Sequence, residues 1–188
     1  MSTKKNHNNG LDSILPFQIE PFFLRGRSVS LNTAANSILQ RHNYPDSVAQ
    51  LLAEMLVLAP CLSSSLKYDG VFTLQVRGER PVKTLLTDVT SGGAMRAYAS
   101  YDAHNLPKNS KGLSLQQLTS GGYIAFTVDQ EHTEERYQGI VELSKSTLTD
   151  CIHEYFRHSE QMETLVNLGV EKSSSGTWRA AVIMIQKE

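Results

Sequence analysis

The sequence predicts an α+β fold, a mainly antiparallel sheet packed against helices in a single core domain. Three observations carry that expectation. In residues 121–161 (GGYIAFTVDQEHTEERYQGIVELSKSTLTDCIHEYFRHSEQ), Ile124, Phe126 and Val128 alternate with Ala125, Thr127 and Asp129, the period of a strand with one face buried. In the same stretch Leu148, Cys151, Ile152, Tyr155 and Phe156 fall at i, i+3, i+4, i+7 and i+8, which puts all five on one helical face. Upstream, short glycine-containing turns separate three further alternating runs. A hairpin feeding such a helix is a packing unit, since burial of each large apolar side chain stabilises by about 1.5–3 kcal/mol.

Taken in order, residues 1–14 are polar and rich in Asn and Lys. Segment 1–20 is therefore expected to be an unstructured tail, with the domain at 21–188. The first strand signal covers 17–31 and is interrupted by Gly26 between Arg25 and Arg27. A glycine there suggests a bulge or a close backbone approach. The two arginines read as solvated edge charges, with an anion site as the alternative.

Leu31, Ala34, Ala35, Ile38 and Leu39 give a short amphipathic helix, and Tyr44–Pro45 restarts the chain. The helix predicted over 45–66 is apolar nearly all round, so it should be central, with a kink or break at Pro60. Strands are predicted at 71–77, 82–89 and 94–101 as an antiparallel meander. A polar loop (102–113) and one helical turn (115–118) follow. Strands 124–128 and 137–143, a helix over 147–160 and a final hairpin of 164–170 with 177–187 complete one sheet. Thr147 with Asp150 suits an N-cap with an acid in the first turn. Apolar residues on both faces of the last strand mark it as central or doubly covered.

A length of 188 residues, 40% hydrophobic and 20% charged, is ordinary for one globular core. A net charge of −1 argues against a nucleic-acid partner. The absence of an eighteen-residue apolar run argues against a membrane span, and the first residues lack the apolar region of a secretory signal; a cytoplasmic protein is expected. Cys61 and Cys151 sit in apolar helical patterns and read as core residues. His153 and His158 are five residues apart, about 140° round a helix, and so do not form a metal pair. His7, His42, His104 and His132 are scattered, and no metal constellation emerges. Glu131, Glu134 and Glu135 fall in a polar turn that offers no apolar wall to raise a pKa. No catalytic or cofactor-binding residue is assigned, and the chain does not read as an enzyme.

The pieces RYQGIVEL at 136–143 and EYFRHSEQ at 154–161 resemble the heat-shock protein 33 family of redox-regulated chaperonins. FFLRG at 22–26, Tyr44–Pro45, LKYDG at 66–70 and GGYIAFT at 121–127 support it, in the family's order. The resemblance implies the core of a holdase that binds unfolded clients and forms a homodimer. It also implies a linker and a C-terminal domain holding zinc through CxC and CxxC cysteines, whose oxidation unfolds that domain. Neither motif occurs in these residues, so no zinc is expected on them and the chain is expected to be a fragment. Without a restraining tail it should hold clients without an oxidant. The alternative reading is a non-enzymatic module that binds a small ligand or a peptide.

Overall fold

The computed structural model describes residues 12–108, 112–132 and 136–187. The chain runs β1 (Ser13–Ile19), β2 (Leu24–Leu31), α1 (Thr33–Leu39), α2 (Asp46–Ser63), β3 (Gly70–Arg77), β4 (Val82–Thr90) and β5 (Met95–Tyr101). It continues with α3 (Leu115–Thr119), β6 (Tyr123–Gln130), β7 (Arg136–Glu142), α4 (Leu148–His158), β8 (Thr164–Lys172) and β9 (Trp178–Lys187). The α+β class and the predicted elements are there. The single sheet is not: the strands form a four-stranded sheet ordered β1-β2-β9-β8 and a five-stranded sheet ordered β5-β4-β3-β6-β7, all pairs antiparallel.

Helix α2 packs against strands of both sheets, and fifteen of its eighteen residues are buried. Its near-uniform apolar surface is what a helix covered on both sides requires. By length and composition α2 could also cross a membrane, but its burial between two sheets makes it a core helix. The predicted interruption at Pro60 does not occur, because Pro60 lies in the last turn and the helix ends three residues later. Ser63, Ser64 and Ser65 then donate to the carbonyls of Pro60, Cys61 and Leu62, satisfying acceptors that the ending helix leaves open.

Register fixes which residues share a face, because directly paired residues of an antiparallel ladder point the same way. Phe72, Leu74 and Val76 of β3 pair with Val128, Phe126 and Ile124 of β6 on the inward face of the five-stranded sheet. Val29 and Leu31 of β2 pair with Val182 and Ala180 of β9 on the inward face of the other. These faces and α2 make one continuous core. Helix α4 closes one end against β7 and β8. Its predicted stripe is as expected, with Leu148, Cys151, Ile152 and Tyr155 buried and Phe156 partly so, and the Thr147 hydroxyl accepts the Asp150 N–H at 3.1 Å.

Two expectations at the N-terminus are corrected. Residues 13–19, expected in the tail, form the edge strand β1, where Leu15, Phe17 and Ile19 share one face and Ile14, Pro16 and Gln18 the other. Pro16 fits because an edge strand tolerates a missing donor. Arg25 and Arg27 are not edge charges: β2 lies between β1 and β9, and both arginines pair in register with Gln186 and Met184 of the inward face. Gly26 makes the close approach rather than a bulge. The register is continuous, and a Cβ there would lie 2.2 Å from the Phe17 ring and 2.7 Å from the Met184 carbonyl.

Candidate functional site

The outward face of the four-stranded sheet carries the largest departure from a polar-out pattern. Register places Leu15, Ser28, Ile183 and Asn167 in one cross-strand row, and Phe17, Gly26, Ile185 and Leu165 in the next. Leu15 is 59% exposed, Leu165 55% and Ile183 38%. At the end of the same hairpin Ile19 pairs with Leu24, and the turn between them presents Phe22 and Phe23, the most exposed large apolar side chains among the described residues. Phe23 is held there in a left-handed conformation, its N–H donating to the Glu20 carbonyl at 3.2 Å.

The result is a broad, shallow, apolar surface without a convergent set of polar groups. Such a surface binds by excluding water rather than by reading a particular side chain. Strand β9 is central, as its sequence predicted, but its second face is not covered by any described residue: Ile183 stands open. The signal for the missed residues, Leu15, Ile19 and Leu165, was the apolar character of 14–19 on both faces of β1 and a single leucine, Leu165, out of phase with the inward Val166, Leu168 and Val170 of β8.

A second feature lies between the sheets, beyond the C-terminal end of α2. It is a cleft of about 430 Å³ bounded by Arg25 and Gln186 on one side and Phe72, Phe126 and Tyr137 on the other, with α4 at its rim. Tyr137 and Tyr155 both donate to Glu160 Oε1, at 2.8 and 2.6 Å, and their hydroxyls lie 2.8 Å apart. Burial and the carboxylate of Glu160 push the Tyr155 phenol well above its ordinary range. The Tyr155 ring packs on Phe126 with centroids 4.6 Å apart, and Gly139 makes room for it: a Cβ there would lie 2.6 Å from the Tyr155 hydroxyl oxygen.

The remaining candidates resolve into structural roles. Cys61 and Cys151 are buried free thiols; burial pushes the Cys61 thiol up to about 12 and raises Cys151 as well, the reverse of an activated nucleophile. His153 Nε2 accepts the Val166 N–H at 2.7 Å and ties α4 to β8, while His158 is exposed at the helix end. No metal constellation is legible from spacing, yet Asp69, Glu131 and His132 do meet, each offering a ligand atom within 4.8 Å of the others, all exposed. Glu134 and Glu135 lie outside the described residues. Neither cysteine takes part in that group, so the residues present do not fit a thiolate zinc centre. Glu54 is the one carboxylate within α2's buried run; burial raises its pKa to about 7, against a hydrogen bond from Gln50 that works the other way.

Comparison with known proteins places these features. The family model for the Hsp33 protein matches residues 12–187. The 33 kDa chaperonin of Caulobacter vibrioides is 38% identical over 181 residues, covering 93% of this chain and 60% of that protein. The 33 kDa chaperonin of Photorhabdus laumondii is 39% identical over 153 residues, covering 81% of this chain and 51% of that protein. The crystal structure of the 33 kDa chaperonin (heat shock protein 33 homolog) from Thermotoga maritima superposes with a TM-score of 0.80 at 21% identity, over 92% of this chain and 60% of that one. The chain thus spans between about half and 60% of the length of these relatives. The match begins at residue 12, ahead of the domain start expected at 21.

Proposed function

The chain belongs to the Hsp33 family, and on that premise we propose that it is the client-binding core of a holdase chaperone, a non-enzymatic protein that shields unfolded chains from aggregation. The observation that carries the reading is the outward face of the four-stranded sheet, where Leu15, Ile183 and Leu165 stand exposed in adjacent rows and Phe22 and Phe23 at the hairpin turn extend the patch. Unfolded clients expose apolar side chains without fixed geometry, so a broad, sequence-tolerant face suits them better than a shaped pocket does. Affinity then comes from the apolar area removed from water, about 25 cal/mol per Å² before the costs of association. Client binding also draws unfolded chains out of the pool that aggregates.

Twofold dimerisation belongs to the same proposal, as closed dimers are the commonest assembly of soluble chains. So does a reducing, cytoplasmic setting, which two buried free thiols suit. Redox control in the family is expected to act through a four-cysteine zinc domain; Cys61 and Cys151 are poor switches, both buried and both held protonated. The purified 188-residue chain should therefore carry no stoichiometric zinc, and elemental analysis giving about one zinc per chain would contradict this.

The deciding experiment is light scattering of a heat-denatured client with the reduced, chelator-treated chain in molar excess. Suppression without an oxidant is expected, because the apolar face is already open in the folded state. Equal aggregation with and without the chain would overturn the proposal.

A further inference from the structure

The inward face of β2 carries two cations that nothing among the described residues neutralises. Register puts Arg25 opposite Gln186 and Arg27 opposite Met184, and neither arginine has an acidic partner within salt-bridge distance among the described residues. The Nε of Arg25 is buried and has no hydrogen-bond partner among them. Arg27 sits beside it, and burial together with the charge of Arg25 lowers its pKa below the ordinary value. Both side chains are half-buried, and two like charges side by side without a counter-charge repel each other.

Arg25 opens into the cleft between the sheets, where the other charged linings are Lys67 and Glu160. Glu160 Oε1 already accepts two phenol hydrogens, so that side of the cleft is served. The balance of the lining is therefore cationic at the Arg25 end. Apart from Ser65, Gln130 and Gln186, the rest of the wall is apolar and aromatic, with Phe72, Phe126 and Met162 on it. A volume of about 430 Å³ falls within the range of small-ligand sites, about 300–1,000 Å³. An apolar body with a single anionic end fits both halves of this lining.

We propose that the cleft binds a small amphiphilic carboxylate, its head paired with the guanidinium of Arg25 and its apolar body against Phe72, Phe126 and Met162. The planar fork of arginine matches a carboxylate with two parallel N–H···O bonds, here from its two terminal Nη groups. Arg27 adds field from the neighbouring inward position without contact. This site is separate from the client face, which lies on the opposite side of the same sheet, so its occupant would bias the sheet from within while clients engage it from outside.

Isothermal titration calorimetry of the whole chain with decanoate and decyltrimethylammonium below their micellar concentrations, and with 1-decanol below its solubility limit, tests it. Decanoate should bind saturably at one per chain, with the alcohol and the cation at least about tenfold weaker, the loss expected for a charge-assisted pair. Arg25→Gln should weaken decanoate by a similar factor, with Arg25→Lys in between. A doubly substituted outer face, Leu165→Ser with Ile183→Ser, should bind decanoate as the parent does, which separates this site from the holdase surface. Equal affinity for the three probes, unaltered binding by Arg25→Gln, or loss of binding in the outer-face variant would each overturn the proposal. The three probes on the unsubstituted chain decide the matter by themselves if Arg25→Gln does not fold.

Discussion

The two sheets share one core and differ in how they meet solvent. The five-stranded sheet sets a fully polar row beside one that exposes Tyr98 and Ile140, whereas the four-stranded sheet carries exposed apolar side chains in both of its middle rows. On the outward face of the five-stranded sheet, register aligns Arg96, Asp88, Thr73, Thr127 and Gln138 in a single row across all five strands. Arg96 Nε meets Asp88 Oδ2 at 2.5 Å, the Thr73 hydroxyl donates to Asp88 Oδ1 at 2.6 Å, and Gln138 donates to Thr127 at 3.2 Å. The matching row of the four-stranded sheet reads Leu15, Ser28, Ile183 and Asn167, and the next adds Phe17, Ile185 and Leu165. Both sheets pack the apolar centre of their inward faces against α2. Stability of the core therefore does not call for apolar residues on the outer side of β1, β9 and β8. Their presence there is a functional signal, since exposed apolar patches of this breadth mark interaction surfaces.

The largest effect should come from erasing that difference. Leu165→Ser with Ile183→Ser makes the four-stranded sheet resemble its partner, and aggregation suppression should be lost. Thermal unfolding should barely move, because surface substitutions away from caps and buried networks usually stay within about 0.5 kcal/mol. Retained suppression in a folded double variant would remove the outer face from the mechanism. The mirror experiment, Thr73→Val in the polar row, should leave suppression unchanged.

Much of this arrangement was legible and some was not, for identifiable reasons. Periodicity found α4, whose stripe is local, and found β3 to β9 to within a residue or two, but it missed β1 and merged its end with β2. It did not find the sheets. Strand β9 pairs with β2 over some hundred and fifty residues of sequence, and alternation identifies a strand without naming its partner. The same limit hid the cleft, where Arg25, Phe126 and Tyr155 meet from three distant segments. Arg25 and Arg27 looked like edge charges because β1 was assigned to a disordered tail; once β1 pairs with β2, that edge becomes an interior. The group of Asp69, Glu131 and His132 escaped for a related reason, since Glu131 N–H donating to the Asp69 carbonyl brings together two turns that sequence spacing keeps apart.

A second test asks whether the two sheets unfold as one body, as a shared α2 implies. Glu54 lies in that helix with its pKa raised from 4.5 to about 7. The sign follows from linkage: the folded state holds this proton more tightly than the unfolded chain does. Its contribution is fully present below pH 4.5 and is lost as pH rises towards 7. The span corresponds to at most about 3 kcal/mol at 1.36 kcal/mol per pKa unit. Urea unfolding at pH 5 and pH 8 should show the parent losing stability over this interval and Glu54→Gln losing less of it. Both sheets should report the same midpoint at each pH, and separate transitions would show that α2 does not couple them.

Gly26→Ala should act on one sheet alone and cost about 1–3 kcal/mol, the range for overpacking a filled site. The new Cβ would displace the Phe17 ring and press on the Met184 carbonyl, which is backbone and has little freedom to yield. Pairing of β1 with β2 should loosen first, read as faster amide exchange at the paired positions 13–19 and 24–30. Exchange in β3 to β7 should be unaltered. Uniform acceleration through both sheets would mean that β1 is integral to the core rather than an edge laid upon it.

The smallest effect is expected in the polar row, and it discriminates between partners of one ion pair. Asp88 is buried and serves both Arg96 and Thr73, whereas the side chain of Arg96 is 81% exposed. Removing the arginine leaves an acceptor that water can reach through the site it vacates, so Arg96→Ala should cost less than about 1 kcal/mol, as exposed pairs do. Removing the carboxylate leaves the Thr73 hydroxyl half-buried without its acceptor, so Asp88→Ala should cost about 1–3 kcal/mol. Denaturant midpoints of the two single variants and of the double variant separate these contributions. If the row held the sheet together by charge, the two single losses would be equal and the double variant would lose no more than either. If it serves to keep this face wetted, Asp88→Ala alone carries the loss, and aggregation suppression stays where the apolar sheet puts it.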